Sequence, residues 1–352
     1  MVQTVSLRNY RSYERLDLDL EPGLVLAVGP NGAGKTNLLE SLHVGTQGFS
    51  PRTRTDLQLI RFGETASRIA IRGESGGRPL ELEVVLQARE PKRAKVNGAQ
   101  LRAAEQLRST VATLVFTPDR LAVVKGGPAV RRAYFDRALG RLAPARAQLP
   151  AEYGAALAQR NAALRRIQLG VSTTEALAPW TERVAELGAA LVEARREALA
   201  LLSPLFAERA DELGLADGSL VYEAEAPTVD SFEARYERDL ERGWTGAGPH
   251  LDEIGIVAGG RDLRTFGSQG EQRLAVLSLL LAEAELIADR RGAPPLLLLD
   301  DVLSELDPER RRILAARIRG GGQALVTSTT AAALPVDPEQ LLEVSPGRVE
   351  AR

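Results

Sequence analysis

The chain has 352 residues, 44% hydrophobic and 26% charged with a net charge of −2, which is the profile of a globular protein of one large or two ordinary domains. It has no cysteine, which excludes disulfides and thiolate metal sites, and its only histidines are His43 and His250, which argues against a histidine metal centre. No apolar run reaches the ~18 residues of a membrane span and the first residues lack the apolar core and cleavage site of a signal peptide, so a cytoplasmic protein with no membrane partner is expected.

The chain opens with strands. Leu16, Leu18 and Leu20 alternate with Asp17 and Asp19, the period of a half-buried strand. After the turn Glu21-Pro22-Gly23, the apolar run LVLAVG suits a buried strand. Lys35–His43 reads as a helix with Leu38, Leu39 and Leu42 on one face. Strand-like runs follow at Arg68–Arg72, Leu80–Leu86 and Val111–Phe116, separated by turns with Gly and Pro. From about Pro128 to Arg242 the texture becomes rich in Ala, Leu, Glu and Arg at helical spacing. A break at Gly170–Thr174 divides two long helices, expected to run antiparallel, and a short strand (Ser219–Glu225) and a helix (Ser231–Arg242) come next. The α/β texture then returns with a helix at Glu271–Asp289, a buried strand PPLLLLDD, a helix at Pro308–Ile318, a strand QALVTS and a polar tail.

The segment Gly29-Pro30-Asn31-Gly32-Ala33-Gly34-Lys35-Thr36 satisfies G-x-x-x-x-G-K-[ST] between an apolar strand and a helix, the context in which this pattern cradles phosphates. Glycines let successive backbone N–H groups converge on phosphate oxygens. The helix start adds free N–H groups and the positive end of its dipole. Lys35 is expected to reach the β- and γ-phosphates of ATP, and the Thr36 hydroxyl to ligate Mg2+. A chance glycine-rich turn is the bland alternative, and the strand before and helix after speak against it. Only Lys35, Lys92, Lys95 and Lys125 among 45 basic residues are lysine, so a lysine inside a glycine loop suggests work for a compact charge on a flexible stem.

A second phosphate-site element is an acidic residue ending a buried strand, and Leu296–Leu299 followed by Asp300 and Asp301 supplies it. Asp300 would hold Mg2+, and Asp301 stands where a general base orients the attacking water. Alone, this would equally be a strand ending in a solvated acidic turn. Charge is unevenly spread: residues 1–140 hold 21 Lys/Arg against 14 Asp/Glu, and residues 141–352 hold 24 against 33. A basic face for nucleic acid and a mere compositional tilt both explain it.

Gly267-Ser268-Gln269-Gly270-Glu271-Gln272, ahead of an apolar helix, resembles the signature motif SGGQ of ABC-type ATPases, with Gln269 for the first glycine and Glu271 for the glutamine. A plain N-cap, Ser268 followed three residues later by Glu271, explains the same residues, and the two readings hold together. Ser304-Glu305-Leu306-Asp307 resembles the D-loop of that class. The resemblance implies that Ser268, Gln269, Gly270, Glu271 and Asp307 complete a nucleotide site on a second copy, hence an ATP-dependent homodimer.

The helical stretch between Thr36 and Ser268 resembles the projection of the SMC-like, chromosome-maintenance branch of the class. The opening VSLRNYRSYERLDLDL is similar to that branch, which implies that Arg8, Asn9, Tyr10 and Arg11 meet the nucleotide base or DNA. Within the branch, Thr117–Asp136, Gly248–Ile254 and Leu296–Leu314 are similar to the RecF family, over nearly the whole chain. The fold implied is α/β: an ABC-type ATPase head of mixed and parallel sheets with helices, at 1–120 plus 244–352, with an inserted helical arm domain at 121–243. The function implied is an ATP-dependent, DNA-binding recombination mediator. Its ATP-driven dimer would clamp gapped or single-strand/duplex junction DNA without sequence preference and release it on slow hydrolysis. The partners implied are RecR and RecO, and indirectly RecA.

Several residues depart from the pattern or stay open. Asp301 stands for the usual glutamate of the class, which implies slow hydrolysis, and Ser328 stands where many members place a phosphate-sensing histidine. Asp119 follows a strand and a proline where the class places its Q-loop, a position near the metal or the attacking water. Arg131 and Arg132 are either a solvated helix face or phosphate contacts. His250 is either structural or part of a loop sensing nucleotide or partner, and the second is favoured. An ABC-type regulatory ATPase of another DNA-processing complex would need an extra acidic metal-binding domain. In a transport complex the inserted arm would be out of place.

Overall fold

The computed structural model describes residues 1–352, the side chains of Glu105 and Ser109 excepted. In chain order, β1 (Val2–Tyr10), β2 (Tyr13–Asp19) and β3 (Leu24–Val28) lead into α1 (Lys35–Gln47). Then come β4 (Ala66–Ser75), β5 (Arg78–Gln87), β6 (Arg93–Val96), β7 (Ala99–Gln100) and β8 (Thr113–Phe116). The helical region holds α2 (Ala122–Lys125), α3 (Pro128–Leu142), α4 (Leu149–Gln168) and α5 (Ala178–Glu212). It continues with β9 (Ser219–Val221), α6 (Val229–Glu233), α7 (Tyr236–Arg242), β10 (Gly255–Ala258), β11 (Arg261–Asp262) and α8 (Leu263–Phe266). The chain ends with α9 (Gln269–Arg291), β12 (Leu296–Leu299), α10 (Pro308–Gly320), β13 (Ala324–Ser328), β14 (Gln340–Ser345) and β15 (Arg348–Ala351). No helix of the described residues is long and apolar enough to cross a membrane.

Two compact units result. The first comprises Met1–Arg120, Glu212–Gly214 and Leu277–Arg352, and the second Leu121–Asp211 and Leu215–Val276. Residues 244–276 thus pack with the helices. The reason is local: β10 pairs with β9 and β11, and the loop before β10 is tied to α3 and α4, as described below.

The first unit has two six-stranded sheets. One is antiparallel in the order β2-β1-β4-β5-β6-β7; the other has the order β15-β14-β3-β13-β12-β8. In the second, β14, β3, β13, β12 and β8 are parallel, so the loops after β3, β12 and β13 emerge at one edge, where ligands bind in such sheets. Nearly all of α1 is buried. Its far end touches both sheets: a Cβ on Gly45 would strike Ile71 of β4 at 2.4 Å, and Thr46 accepts from Thr113 of β8 at 2.9 Å. A helix buried on every side needs more than one apolar stripe, so the expected single face of Leu38, Leu39 and Leu42 understated its burial.

The expected polar tail is a hairpin instead. β14 lies parallel beside β3, with Leu341 opposite Leu26, and β15 folds back on it. Leu342 and Val344 are buried, and the turn Pro346-Gly347 has the left-handed φ of 75° at Gly347. In the second unit α4 and α5 run antiparallel: Leu164 packs with Leu177, Arg160 bonds Thr181 and Tyr153 lies against Gly188. The single helix expected over Ser231–Arg242 is two. α6 starts on a Thr228–Ser231 capping box, and the chain leaves helical geometry at Arg235, φ −107° and ψ 0°.

Candidate nucleotide site

The loop Gly29–Thr36 is shaped from both sides. A Cβ at Gly29 would lie 2.2 Å from the Val344 carbonyl oxygen, and Gly34, at φ 113°, sits under the Tyr13 hydroxyl. That hydroxyl donates to the Gly34 carbonyl at 3.0 Å. Gly32 has φ 81°, a conformation costly to any residue with a Cβ. Asn31, Pro30 and Ala33 complete the turn, Ala33 N–H donating to the Pro30 carbonyl at 3.2 Å. Among the described residues no acceptor takes the N–H groups of Gly34, Lys35 and Thr36. These are the orphan donors of a helix start, aimed where an anion would sit.

Lys35 is 9% exposed. Its Nζ donates to the carbonyls of Gly29 at 2.6 Å and Pro30 at 3.0 Å. Burial lowers its pKa, against the opposing pull of Asp301 and Asp300. Thr36 donates to the Asp300 carboxylate at 3.0 Å. Thr327, buried in β13 between the two loops, donates to Asp300 Oδ1 at 2.7 Å and accepts the Asp301 N–H at 3.0 Å. Burial raises the Asp300 pKa, opposed by the hydroxyls of Thr327 and Thr36. A desolvated carboxylate beside a threonine hydroxyl is a hard-oxygen donor set that suits Mg2+, which commonly takes one or two carboxylates together with phosphate and water. Among the described residues no group of three or more acidic, His or Cys side chains could hold a metal by itself, so phosphate would have to complete the shell. Asp301 is exposed and left-handed, φ 48°, with its carbonyl accepting from Ser304. Asp119 is exposed just past β8, whose Phe116 carbonyl accepts the Asp300 N–H, so it lies at the same sheet edge.

The β1–β2 turn reaches this loop. Ser12 accepts from Asn37 of α1. Arg11 grips the fully buried Glu40 with two bonds of 2.8 and 2.9 Å, and Arg52 lies 3.6 Å from the same carboxylate. The structure adds the partners of three residues of this opening segment. Arg11 is a clamp on α1 in an ion pair, Tyr10 is wholly buried in the core, and Arg8 pairs with Asp17 across the hairpin.

In the second unit, Ser268 and Glu271 form a reciprocal capping box: Ser268 N–H donates to Glu271 at 2.8 Å, and Glu271 N–H to Ser268 Oγ at 3.2 Å. These bonds hold the Glu271 carboxyl below its usual range. Ser268, Gln269 and Gly270 remain exposed at the start of α9. Asp307, in the first unit, caps α10 through the Arg310 N–H at 2.9 Å and is exposed.

His250, Arg131 and Arg132 are each tied by hydrogen bonds within the second unit. The Tyr153 hydroxyl donates to His250 Nδ1 at 2.7 Å and Nε2 donates to the Thr245 carbonyl at 3.0 Å, so both ring nitrogens are used, and burial lowers its pKa. Arg131 is 2% exposed; it donates to the Val124 and Gly126 carbonyls and pairs with Glu253. Arg132 donates to the Asp252 carbonyl at 2.6 Å. Arg131 is thus buried, and Arg132 is half-buried. Ser328 is buried, accepting from Thr330. Sequence reasoning missed Thr327, Glu40 and Tyr13; a hydroxyl closing an apolar parallel strand was the available signal for the first.

Comparison with known proteins agrees with this geometry. The model of the RecF/RecN/SMC N-terminal domain matches residues 1–348. The DNA replication and repair protein RecF of Heliobacterium modesticaldum is 36% identical over 366 residues, covering 99% of this chain and 97% of that protein. The protein so named from Symbiobacterium thermophilum is 38% identical, covering 93% and 91%. A solved structure of the recombination mediator protein RecF with ATP, in the RecFOR pathway, superposes with a TM-score of 0.90 at 26% identity, covering 100% of this chain and 97% of that one. An Smc head bound to the C-winged helix domain of ScpA, at 16% identity and a TM-score of 0.62, covering 100% and 96%, shares the fold. The chain has the α/β fold of an ABC-type ATPase head with helical elements inserted, and it belongs to the RecF family of DNA replication and repair proteins.

Proposed function

We propose that this chain is an ATP-binding and ATP-hydrolysing recombination mediator, acting in DNA replication and recombinational repair. One observation carries the reading: Thr36, Asp300 and Thr327 form one hydrogen-bonded constellation at the carboxyl edge of a parallel sheet, beside the loop that holds Lys35 and its orphan N–H donors. Lys35 exchanges the Gly29 and Pro30 carbonyls for the β- and γ-phosphates. Thr36 and Asp300 hold Mg2+, with Thr327 fixing the Asp300 rotamer. When bound, the ion neutralises phosphate charge. Asp301 orients the attacking water, and its short arm makes turnover slow.

The site is half of a composite one. Exposed Ser268, Gln269, Gly270 and Asp307 meet nucleotide held by a second copy, so ATP drives homodimerisation. The ATPase head comprises 1–120 plus 244–352 and the arm 121–243, with residues 244–276 carrying the signature motif to the partner. The dimer clamps gapped or junction DNA in the cytoplasm through phosphates, without sequence preference and in a salt-sensitive way. It works with RecR and RecO to place RecA. Sedimentation velocity with ATP and gapped DNA tests this: the wild type should dimerise and bind DNA more tightly with ATP. Lys35→Met should do neither. Ser268→Arg should bind ATP as a monomer, and a retained Ser268→Arg dimer would contradict the trans role of the signature motif.

A further inference from the structure

The helical unit holds a cavity that the nucleotide chemistry does not use. The α4 helix, the start of α5 and the α6–α7 pair enclose about 340 Å3, with Arg160, Leu177, Phe232 and Tyr236 among the lining residues. Arg160 is 1% exposed. Its Nη1 donates to Asp239 at 2.9 Å and Thr245 at 2.6 Å, and its Nε to Thr181 at 3.2 Å. The guanidinium carbon lies 4.8 Å from the centre of the Phe232 ring. A guanidinium has five N–H donors. Among the described residues none accepts from Nη2, so that nitrogen of a cavity-lining arginine lacks a partner.

The surroundings select what takes them. Asp239 is itself fully buried and neutralises the guanidinium, so the cavity offers hydrogen-bond donors without a net positive charge. Glu182 and Glu233 also line it, exposed, with no ion partner among the described residues. Two free carboxylates repel phosphate and attract lysine or arginine. The aromatic and aliphatic walls suit a ring, and a few convergent polar groups in an apolar pocket are the usual composition of a specific site. An occupant needs an aromatic body, an acceptor at its far end, and positive charge at its mouth. A tyrosine between basic residues has all three.

We propose that this cavity docks a peptide segment of a partner protein, inserting one tyrosine flanked by lysine or arginine. The ring packs against Leu177, Phe232 and Tyr236, the hydroxyl oxygen accepts from Arg160 Nη2, and the flanking cations face Glu182 and Glu233. Titration of the full-length protein with acetyl-Lys-Tyr-Arg-amide tests this by calorimetry. Binding is expected in the millimolar range or tighter, as one anchor allows. Phenylalanine for tyrosine in the probe should weaken it about 3- to 10-fold through the lost hydrogen bond, and acetyl-Glu-Tyr-Glu-amide should not bind. Glu182→Gln with Glu233→Gln, both at exposed positions, should weaken binding about 3- to 10-fold and remove its salt dependence. Ala178→Trp, which fills the cavity from its exposed wall, should abolish binding while ATP binding stays unchanged as the control for folding. The proposal is overturned if the basic probe shows no binding at ~5 mM, if it binds the filled variant equally, or if the acidic probe binds as well. Displacement of the probe by a single-stranded oligonucleotide would instead assign the cavity to nucleic acid.

Discussion

A Cβ on Gly29 would stand 2.2 Å from the carbonyl oxygen of Val344, so alanine there must push β14 away from β3 at the root of the nucleotide loop. Gly32 differs: its Cβ would meet nothing within 4 Å, and only its φ of 81° resists substitution. Gly29→Ala should therefore cost about 1–3 kcal/mol of stability, as overpacking does, and should lose nucleotide affinity. Gly32→Ala should cost about 1–2 kcal/mol. Denaturant unfolding with and without an ATP analogue measures both, and equal stability of Gly29→Ala and wild type would show that β14 yields freely. His250 brings a pH dependence. Burial lowers its pKa from the ordinary 6.5, with Arg132 adding to the lowering and Asp252 and Asp239 opposing it. The unfolded chain then takes up a proton near pH 6.5 that the folded chain refuses. The stability contributed by the neutral ring is present above that pH and lost as pH falls from there toward the folded value. The melting temperature should fall from about pH 7.5 to 5.5, and His250→Asn should flatten that part of the profile. An unchanged slope in the variant would remove His250 as its source.

The starts of α9 and α10 place the trans candidates at the scale of elements. Ser268 with Glu271, and Asp307 with Arg310, satisfy first-turn N–H groups and so fix where each helix begins. Asp307→Ala should lower stability by about 1 kcal/mol, whereas Asp307→Asn, an equally good cap, should cost less than half of that. Thermal melts of the monomer without nucleotide separate the cap from any role across a dimer, because only the cap acts there. The Ser268 cap was legible in the sequence, as were the phosphate loop, the acidic strand and the antiparallel pair α4 and α5, because each is a local pattern of spacing; Asp307 was read there only as part of a D-loop. The hairpin β14–β15 was written there too, in alternating Leu342 and Val344 before Pro346-Gly347, yet its polar residues masked the period. What no local pattern carried was contact across the fold. The Thr327 hydroxyl reaches Asp300 only because β13 lies between β3 and β12, and Arg131 is buried only because the loop at Glu253 returns to it. The division at Val276/Leu277, inside α9, is of the same kind: a change of packing partner along one helix leaves no mark in composition.

For the whole molecule, the proposed function requires that one copy carry two unlike halves of a site. The Lys35 loop offers donors and a cation for phosphate, and at the Ser268 helix start the N–H groups of Gln269 and Gly270 have no acceptor among the described residues. If two copies pair with two-fold symmetry, each loop faces the other copy's signature motif, and the contact is isologous. Mixing then discriminates what single variants do not. Lys35→Met keeps its signature motif and loses its loop; Ser268→Arg keeps its loop and loses its signature motif. Each alone forms only defective sites. A heterodimer of the two holds one intact site, Lys35 from one copy against Ser268 from the other, and one doubly defective site. Neither variant pairs with itself, so the dimers that form in an equimolar mixture are mixed and one of their two sites works; activity should recover toward about half of wild type under two-fold pairing. The measurement is ATP turnover of each variant and of the mixture at equal total protein. Recovery well above the sum of the separate variants requires sites shared between copies. A mixture no more active than that sum would mean that nucleotide is processed within single copies, and that Ser268 serves α9 only as its cap.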